Sequence, residues 1–257
     1  MIEIQHLHKS FGDLTVLQDI SLTVNDGETL AIIGHSGSGK SVLMKHFVGL
    51  LKPDQGRVLV EGTDISEIEY DELREVRRKF GVLFQGGALF DSMTSFENVA
   101  FPLRNFTDLD EQAITDEVHD CLNLVRLSDI DDKKPSELSG GMRKRVALAR
   151  AIALKPKYIL YDEPTSGLDP DTSNTIDELI SSLADELSVT SVVVTHDMHS
   201  VLSIADRVAF LYDTHLHWIG PVDELHTGRD EVLDAFVRAN QYQIGDPSAT
   251  ALSGRSS

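Results

Sequence analysis

The hydrophobic pattern of the amino-terminal third is typical of short β-strands. Apolar and β-branched runs cover residues 2–7, 21–24, 29–33 and 57–60, and turn-forming pairs containing Gly27 and Gly62 follow the second and the fourth run. The sequence therefore predicts a β-rich beginning.

A helical pattern follows the strand-like run at residues 81–84. Ile114, Val118 and Leu122 recur at every fourth position within a stretch rich in Asp and Glu, as expected of an amphipathic helix. We predict a helical insert over residues 86–154.

Strand-like runs return at residues 158–161, 191–194 and 207–211. A helical apolar face lies between the first two, on Ile176, Leu179, Ile180, Leu183 and Leu187. Continuous apolar strands that alternate with helices are typical of a parallel sheet covered on both faces, so we predict an α/β fold. We expect this fold to end near residue 242, because the small and polar residues of 243–257 bury too little surface to order a tail, which we expect to be flexible.

Charge and composition narrow the possible functions. The 42 acidic and 23 basic residues give a net charge of −19, which disfavours non-specific nucleic-acid binding because that binding depends on cationic side chains. The single cysteine, Cys121, cannot form a disulfide within the chain and fits a reducing cytoplasm. No run approaches the eighteen or so apolar residues of a membrane-spanning helix, so a membrane function would need a partner.

A phosphate-binding loop is predicted between the third strand and a helix that begins near Lys40. Its sequence, GHSGSGKS, matches G-x-x-x-x-G-K-[ST] in the required strand-to-helix context. Its glycines let backbone N–H groups turn inward, Lys40 would reach the β- and γ-phosphates, and Ser41 would ligate magnesium. The predicted nucleotide-binding residues here are Gly34, His35, Ser36, Gly37, Ser38, Gly39, Lys40 and Ser41.

Two carboxylates end the apolar strand within YILYDEP, residues 158–164. We predict that Asp162 binds the metal and that Glu163 acts on the attacking water, although a strand exit with solvated acids would look similar.

A second potential anion site lies at residues 138–142, LSGGM. Ser139, Gly140 and Gly141 would open a helix, and because the first loop already holds its own nucleotide, this helix start would serve the nucleotide of another subunit. A plain serine cap is the alternative. We expect Arg143, Lys144 and Arg145, which follow, to be solvated or in local ion pairs.

Together these motifs resemble the ATP-binding subunits of ABC transporters, over essentially residues 1–240. Gln85 after GVLF, Asp169 at the end of SGLD, His196 after SVVVT and Phe11 at the adenine-stacking position match in order. The resemblance implies an ABC-type P-loop ATPase domain over residues 1–242. A RecA-like core and an amino-terminal antiparallel β subdomain would share residues 1–85 and 155–242, with the helical signature subdomain at 86–154.

The same resemblance implies the ligands and the assembly. ATP and Mg²⁺ would bind at the interface of a head-to-tail homodimer, where Ser139, Gly140 and Gly141 of one copy complete the γ-phosphate site of the other. Asp169 would support the neighbour, and Gln85 would also approach the metal. The implied catalytic residues are Lys40, Gln85, Glu163 and His196.

Residues 84–104, together with Met142 where most of the family has glutamine, resemble the ATPase subunits of Mce-associated phospholipid transporters. This resemblance implies a peripheral subunit at the cytoplasmic face of the inner membrane. It would bind permease subunits and work with an Mce-type periplasmic lipid-binding protein. Whether a small regulatory subunit also binds is left open by the sequence. We expect exposed apolar side chains that dock a membrane partner at Leu89, Phe90, Met93, Phe96 and Phe101.

Three alternatives remain open from the sequence. The first is an ABC importer or exporter for another solute, such as amino acids. The second is a member of the superfamily that acts in translation or DNA repair, which the single phosphate loop and the short insert disfavour. The third is a nucleotide-dependent scaffold, which would be expected to lack Glu163 or His196.

Overall fold

A computed structural model describes residues 1–226, Gly228 and residues 230–241. The tail predicted over residues 243–257 lies outside these described residues.

The secondary structure follows the predicted order. The strands are β1 (Ile2–Phe11), β2 (Leu14–Val24), β3 (Thr29–Gly34), β4 (Gln55–Val60), β5 (Thr63–Asp64), β6 (Phe80–Leu83), β7 (Tyr158–Asp162), β8 (Thr190–Val194), β9 (Arg207–Tyr212) and β10 (His215–Pro221). The helices are α1 (Lys40–Phe47), α2 (Tyr70–Arg77), α3 (Ser95–Phe106), α4 (Glu111–Leu124), α5 (Gly140–Ile152), α6 (Pro170–Leu187), α7 (Met198–Ile204) and α8 (Glu231–Gln241).

The strands form two sheets. An antiparallel sheet has the order β2-β1-β4-β5, and a second sheet has the order β10-β9-β3-β8-β7-β6. In the second sheet every neighbouring pair from β9 to β6 is parallel, and only the edge strand β10 is antiparallel. This arrangement confirms the predicted α/β fold with a parallel sheet.

The first two strands are longer than the sequence indicated. Their antiparallel register continues to the pair Phe11 and Leu14, so a tight turn joins them. The pattern missed these ends because the polar runs at residues 8–10 and 18–19 interrupt the apolar positions of the two strands.

Both faces of the parallel sheet are buried. Leu30 and Ile32 of β3 pack towards the antiparallel sheet and α1, whereas Ala31 and Ile33 pack against α7 and α8. Successive side chains of a strand point to opposite faces, so such a strand must be apolar throughout, as LAII is.

The helices of the insert are α3, α4 and α5, which share one buried cluster with α6 and the strands β6 to β8. Thr94 and Glu97 form a capping box that fixes the start of α3. The apolar face predicted from Ile114, Val118 and Leu122 is buried on α4. None of the helices that the structure describes is long and apolar enough to cross a membrane.

Candidate active site

The candidate residues follow neighbouring strands and lie at one edge of the parallel sheet. The phosphate loop follows β3, His196 follows β8, Glu163 follows β7 and Gln85 follows β6. Because the carboxyl ends of parallel strands share one edge, these segments meet there and line a cavity of about 660 Å³, a volume suited to a small ligand. The lining residues are Phe11, Val16, Gly34, His35, Ser36, Gly37, Gly39, Lys40, Ser41, Val42, Gln85, Glu163, His196, Phe236 and Asn240.

The backbone of the phosphate loop requires its glycines. Gly37 and Gly39 have φ of 81° and 95°, in the left-handed region that side chains disfavour. A Cβ on Gly34 would lie 2.5 Å from the carbonyl oxygen of Leu211. Gly39 is followed directly by α1, so the free N–H groups of the helix start face the loop.

Lys40 is held inside this loop. Its Nζ donates hydrogen bonds to the carbonyl oxygens of Gly34 and His35 at 2.8 and 2.9 Å, and the side chain is buried. Burial lowers the pKa of Lys40, while the nearby carboxylates of Glu163 and Asp162 oppose that effect. A buried cation flanked by acids is thus available to an anionic ligand.

Hard oxygen donors lie beside the loop and fit a magnesium ion. Ser41 Oγ donates to Asp162 Oδ1 at 2.9 Å, and the buried Ser38 hydroxyl has no hydrogen-bond partner. Hydroxyl and carboxylate oxygens are ligands that Mg²⁺ prefers, and an unpaired buried hydroxyl suits a phosphate oxygen. The described part of the chain holds no cluster of three or more His, Cys, Asp or Glu side chains that could bind a metal.

Glu163 and His196 form a second pair across the cavity. His196 Nδ1 lies 2.9 Å from the Glu163 carboxylate, and the histidine side chain is half exposed. Glu163 has φ of 48°, an uncommon conformation for a residue with a side chain, and its N–H donates to the carbonyl of Val194 at 2.8 Å. The fold therefore fixes the backbone of Glu163 and leaves its carboxylate facing the ligand space.

Two further residues of the predicted nucleotide site, Gln85 and Phe11, are exposed to solvent. Gln85 Nε2 donates to Ser166 Oγ at 3.4 Å, and the Gln85 side chain is exposed. The Phe11 ring is 48% exposed, with the Lys9 ammonium 5.5 Å from its centroid. An aromatic ring presented to solvent at the rim of the cavity can stack on a base.

The predicted second anion site does not line this cavity. Ser139 is exposed and caps α5 by accepting the N–H of Met142 at 3.2 Å. Thr172 lies beneath it: a Cβ on Gly141 would sit 2.4 Å from Thr172 Cγ2, and Asp169 accepts both the N–H and the hydroxyl of Thr172. The start of α5 and Asp169 thus form one surface, separate from the chain's own phosphate loop.

The expectation of solvated cations after this helix start was wrong for Lys144, whereas Arg143 is exposed as expected. Lys144 is buried and donates to the carbonyl oxygens of Gln85 and Glu163, while Arg143 and Arg145 donate to those of Leu138 and Arg126. Nothing in this run of three consecutive cations indicates that main-chain carbonyl oxygens face them.

The sequence analysis also missed two residues of α8 that line the cavity, Phe236 and Asn240. The Phe236 ring packs edge-on against His35 of the phosphate loop, with ring centroids 5.1 Å apart. The apolar face of α8 is an ordinary core pattern, so only the fold shows that it supports the loop.

The expected exposed apolar surface is smaller than the sequence suggested. Phe90 is 41% exposed, but Leu89, Met93, Phe96 and Phe101 are partly buried. Leu89 and Phe96 pack against the buried cluster of the helical insert, and the Phe101 ring lies 4.8 Å from that of Phe90. The expectation of five exposed apolar side chains was therefore wrong for four of them.

Comparison with known proteins gives the family. Residues 17–166 match the ABC transporter family. Over 95% of its length the chain is 43% identical to the probable ribonucleotide transport ATP-binding protein Mkl of Mycobacterium tuberculosis, covering 67% of that protein. It is 44% identical over 93% of its length to the intermembrane phospholipid transport system ATP-binding protein MlaF of Haemophilus influenzae, covering 90% of it.

A methionine import ATP-binding protein, MetN of Cupriavidus metallidurans, is 40% identical over 98% of the chain, which covers 72% of that relative. Among solved structures, the post-hydrolysis dimer of the ATP-binding cassette MJ0796 with ADP and Pi aligns at a TM-score of 0.80 and 33% identity, over 86% of this chain and 99% of the other. The fold, the phosphate loop and these similarities show that the chain belongs to the ABC transporter family, as an ATP-binding subunit that hydrolyses ATP.

Proposed function

We propose that this ATPase powers phospholipid transport between the inner and outer membranes. The observation that carries the proposal is the similarity to MlaF, which extends over 93% of the chain and 90% of that relative. The segment at residues 84–104 and Met142 support the same assignment, since the sequence resembles this subfamily there.

In the proposed site Lys40 and the loop around it bind the ATP phosphates, and Phe11 stacks on the adenine ring. Glu163 accepts the proton of the attacking water, and His196, 2.9 Å from that carboxylate, keeps it oriented and meets the γ-phosphate. Ser41, Asp162 and Gln85 would hold Mg²⁺, which supplies charge neutralisation on the phosphate oxygens when bound.

We further propose that hydrolysis needs two copies. Ser139 is exposed on the side of α5 that does not line the chain's own cavity, so the free N–H groups beside it are available to the γ-phosphate of a second copy. Gly140 and Gly141 would let that phosphate approach the backbone, and Asp169, which caps the adjacent α6, would support the interface. ATP would then hold two copies together until its γ-phosphate is lost.

The membrane partner would dock beside the loop that follows β6. Phe90 is exposed there, its ring rests on that of Phe101, and the Arg150 guanidinium lies 5.7 Å from its centroid. A permease helix that buried Phe90 would sit close to Gln85 and could pass opening and closing of the dimer to the membrane. The proposed location is accordingly the cytoplasmic face of the inner membrane, peripheral to the permease.

The chemical part of the proposal is tested by Glu163→Gln and His196→Ala. Glu163→Gln should bind ATP as the wild type does and abolish turnover. His196→Ala should lower turnover about 100-fold or more while ATP affinity changes little, because the lost contact acts on charge that develops during attack. Steady-state hydrolysis and equilibrium ATP binding are the measurements, and wild-type turnover in either variant would contradict the assignment.

The transport part is tested by purifying the subunit from its native membrane in mild detergent and identifying the proteins and lipids that accompany it. A permease with an Mce-type protein and bound phospholipid supports the proposal. The MetN relative supports the rival assignment, an importer of amino acids, and recovery of a periplasmic amino-acid-binding protein would favour that rival.

A further inference from the structure

Helix α5 binds the loop after β6 through its cationic side chains. Arg150 donates to the carbonyl oxygens of Gly87 and Ala88 at 3.0 and 2.9 Å, and Lys144 donates to that of Gln85. Gly87 and Ala88 have φ of 76° and 49°, so the loop turns with these carbonyl groups pointing away from any strand partner. The carbonyl groups of Gln85, Gly87 and Ala88 thus accept hydrogen bonds from α5.

Helix and strand approach closely enough for these contacts because Gly81 has no side chain. A Cβ at Gly81 would lie 2.4 Å from the carbonyl oxygen of Ala151, so α5 rests directly on β6. This contact sets the distance at which the side chains of α5 meet the end of the strand.

Lys144 differs from the other cations of α5 because it also reaches the neighbouring strand. Its Nζ donates to the carbonyl oxygen of Glu163 at 3.1 Å as well as to that of Gln85. In the parallel register Leu83 of β6 pairs with Tyr161 of β7, so Gln85 and Glu163 each lie two residues beyond one paired position. One ammonium thus joins the ends of two adjacent strands at the two residues proposed to act on the nucleotide.

The surroundings of this ammonium fit a fixed cation. Lys144 is 6% exposed, and an ammonium that is withdrawn from water needs both hydrogen-bond acceptors and nearby negative charge. The two carbonyl groups supply the acceptors. Burial lowers the pKa of Lys144, and the carboxylates of Asp162 and Glu163 oppose that effect, so they lie close enough to stabilise its charge.

We propose that Lys144 is a positioning residue for ATP hydrolysis, which fixes the backbone of Glu163 and of Gln85 relative to α5. This rests on the proposed roles of Glu163 and Gln85. Glu163 has φ of 48°, a conformation that needs support from its surroundings, and Lys144 supplies that support from the helix whose start carries Ser139. If the start of α5 moves when it contacts a second copy's nucleotide, the movement would consequently change the position of the chain's own Glu163.

The test compares Lys144→Met and Lys144→Arg in the full chain with Arg145→Met as the matched control. Arg145 is the next residue of the same helix and donates to the carbonyl oxygen of Arg126, away from the cavity, so its loss removes an equal charge and a main-chain bond without touching Gln85 or Glu163. Turnover at saturating ATP, KM for ATP and the thermal unfolding midpoint are measured for each.

Lys144→Met should lower kcat about 10- to 100-fold with KM for ATP changed less than about threefold, because misplacing a reacting group costs rate more than binding. Lys144→Arg, which keeps the charge and the donors, should recover most of the rate, and Arg145→Met should turn over as the wild type does. A kcat for Lys144→Met equal to that of Arg145→Met would overturn the inference, as would equal losses of rate and of ATP binding.

If Lys144→Met fails to fold, Lys144→Gln and Lys144→Arg provide the test. Turnover that is lower for the amide than for the guanidinium supports the inference, and wild-type turnover for Gln overturns it. The inference and the proposed function fail separately. A Glu163→Gln variant that still hydrolyses ATP would refute the proposed roles, whereas an inactive Glu163→Gln beside a fully active Lys144→Met would refute the role of Lys144 alone.

Discussion

The buried carboxyl group of Asp177 should make the stability of this protein depend on pH. Asp177 lies on α6 and is 3% exposed; its Oδ2 accepts the hydroxyl of Ser200 on α7 at 2.8 Å, and its Oδ1 has no partner. Burial raises the pKa of Asp177 from 3.8 to about 6, helped by the negative charge of Asp197 and opposed by the Ser200 hydrogen bond and by His199.

The sign and the size follow from linkage. Below pH 3.8 the carboxyl group is protonated in both the folded and the unfolded chain, and its ionisation does not lower the free energy of unfolding. Above that pH the unfolded chain releases the proton first, so stability falls as the pH rises through about 6 and then stays low. Each pH unit between the two pKa values is worth about 1.4 kcal/mol, so the ionised group costs about 3 kcal/mol at pH 7.

Asp177→Asn removes the ionisable group and therefore isolates the pH-dependent contribution of Asp177 to the free energy of unfolding. Urea unfolding followed by the fluorescence of Trp218, the single tryptophan, gives the free energy of unfolding from pH 4 to pH 8. The variant minus wild-type difference in the free energy of unfolding should rise by about 2 kcal/mol between pH 4 and pH 7, whatever constant offset the amide introduces. Asp185→Asn, at an exposed position of the same helix, is the control. A difference that stays constant with pH would refute the reasoning.

Two further substitutions test the proposed nucleotide contacts. Phe11→Ala should weaken ATP binding by roughly 1–3 kcal/mol with little change in kcat, because the exposed ring would stack on the base, and equilibrium ATP binding checks this. Unchanged affinity would assign the ring to another role. Gly141→Ala should displace the start of α5 from the position proposed to meet a second copy's nucleotide, because the added Cβ would lie 2.4 Å from Thr172 Cγ2 of the same chain. Hydrolysis should then fall while ATP binding by the single copy persists, and normal hydrolysis would contradict a composite site.

The sequence was sufficient to bring together the residues that we propose for the chemistry. Lys40 begins α1 after the phosphate loop, and Glu163 directly follows β7. Both lie in motifs whose spacing reflects a mechanism, so the motif predicts their position as well as their type. The structure brings both to one cavity, which His196 also lines after the end of β8. Their functional roles remain predictions that the variants above address.

The supporting residues could not be found in this way. Lys144 and Arg150 bind main-chain carbonyl groups, and a carbonyl group carries no sequence signature that a cation could be matched to. Phe236 looks like any apolar residue of an amphipathic helix. For Leu89 and Phe96 the error went the other way, since nothing in the sequence shows that the helical cluster has room for them.

The order of the strands has a consequence for engineering. Residues 86–154 connect β6 to β7, which are neighbours in the sheet, so a homologous segment could replace them without changing the order of the strands, provided that it rebuilds the cluster shared with α6, β7 and β8. Such a chimera would lose Lys144 and Arg150 with the segment it gives up. We expect chimeras that have a cation at both positions to keep turnover. Chimeras that fold but lack these cations should bind ATP without hydrolysing it.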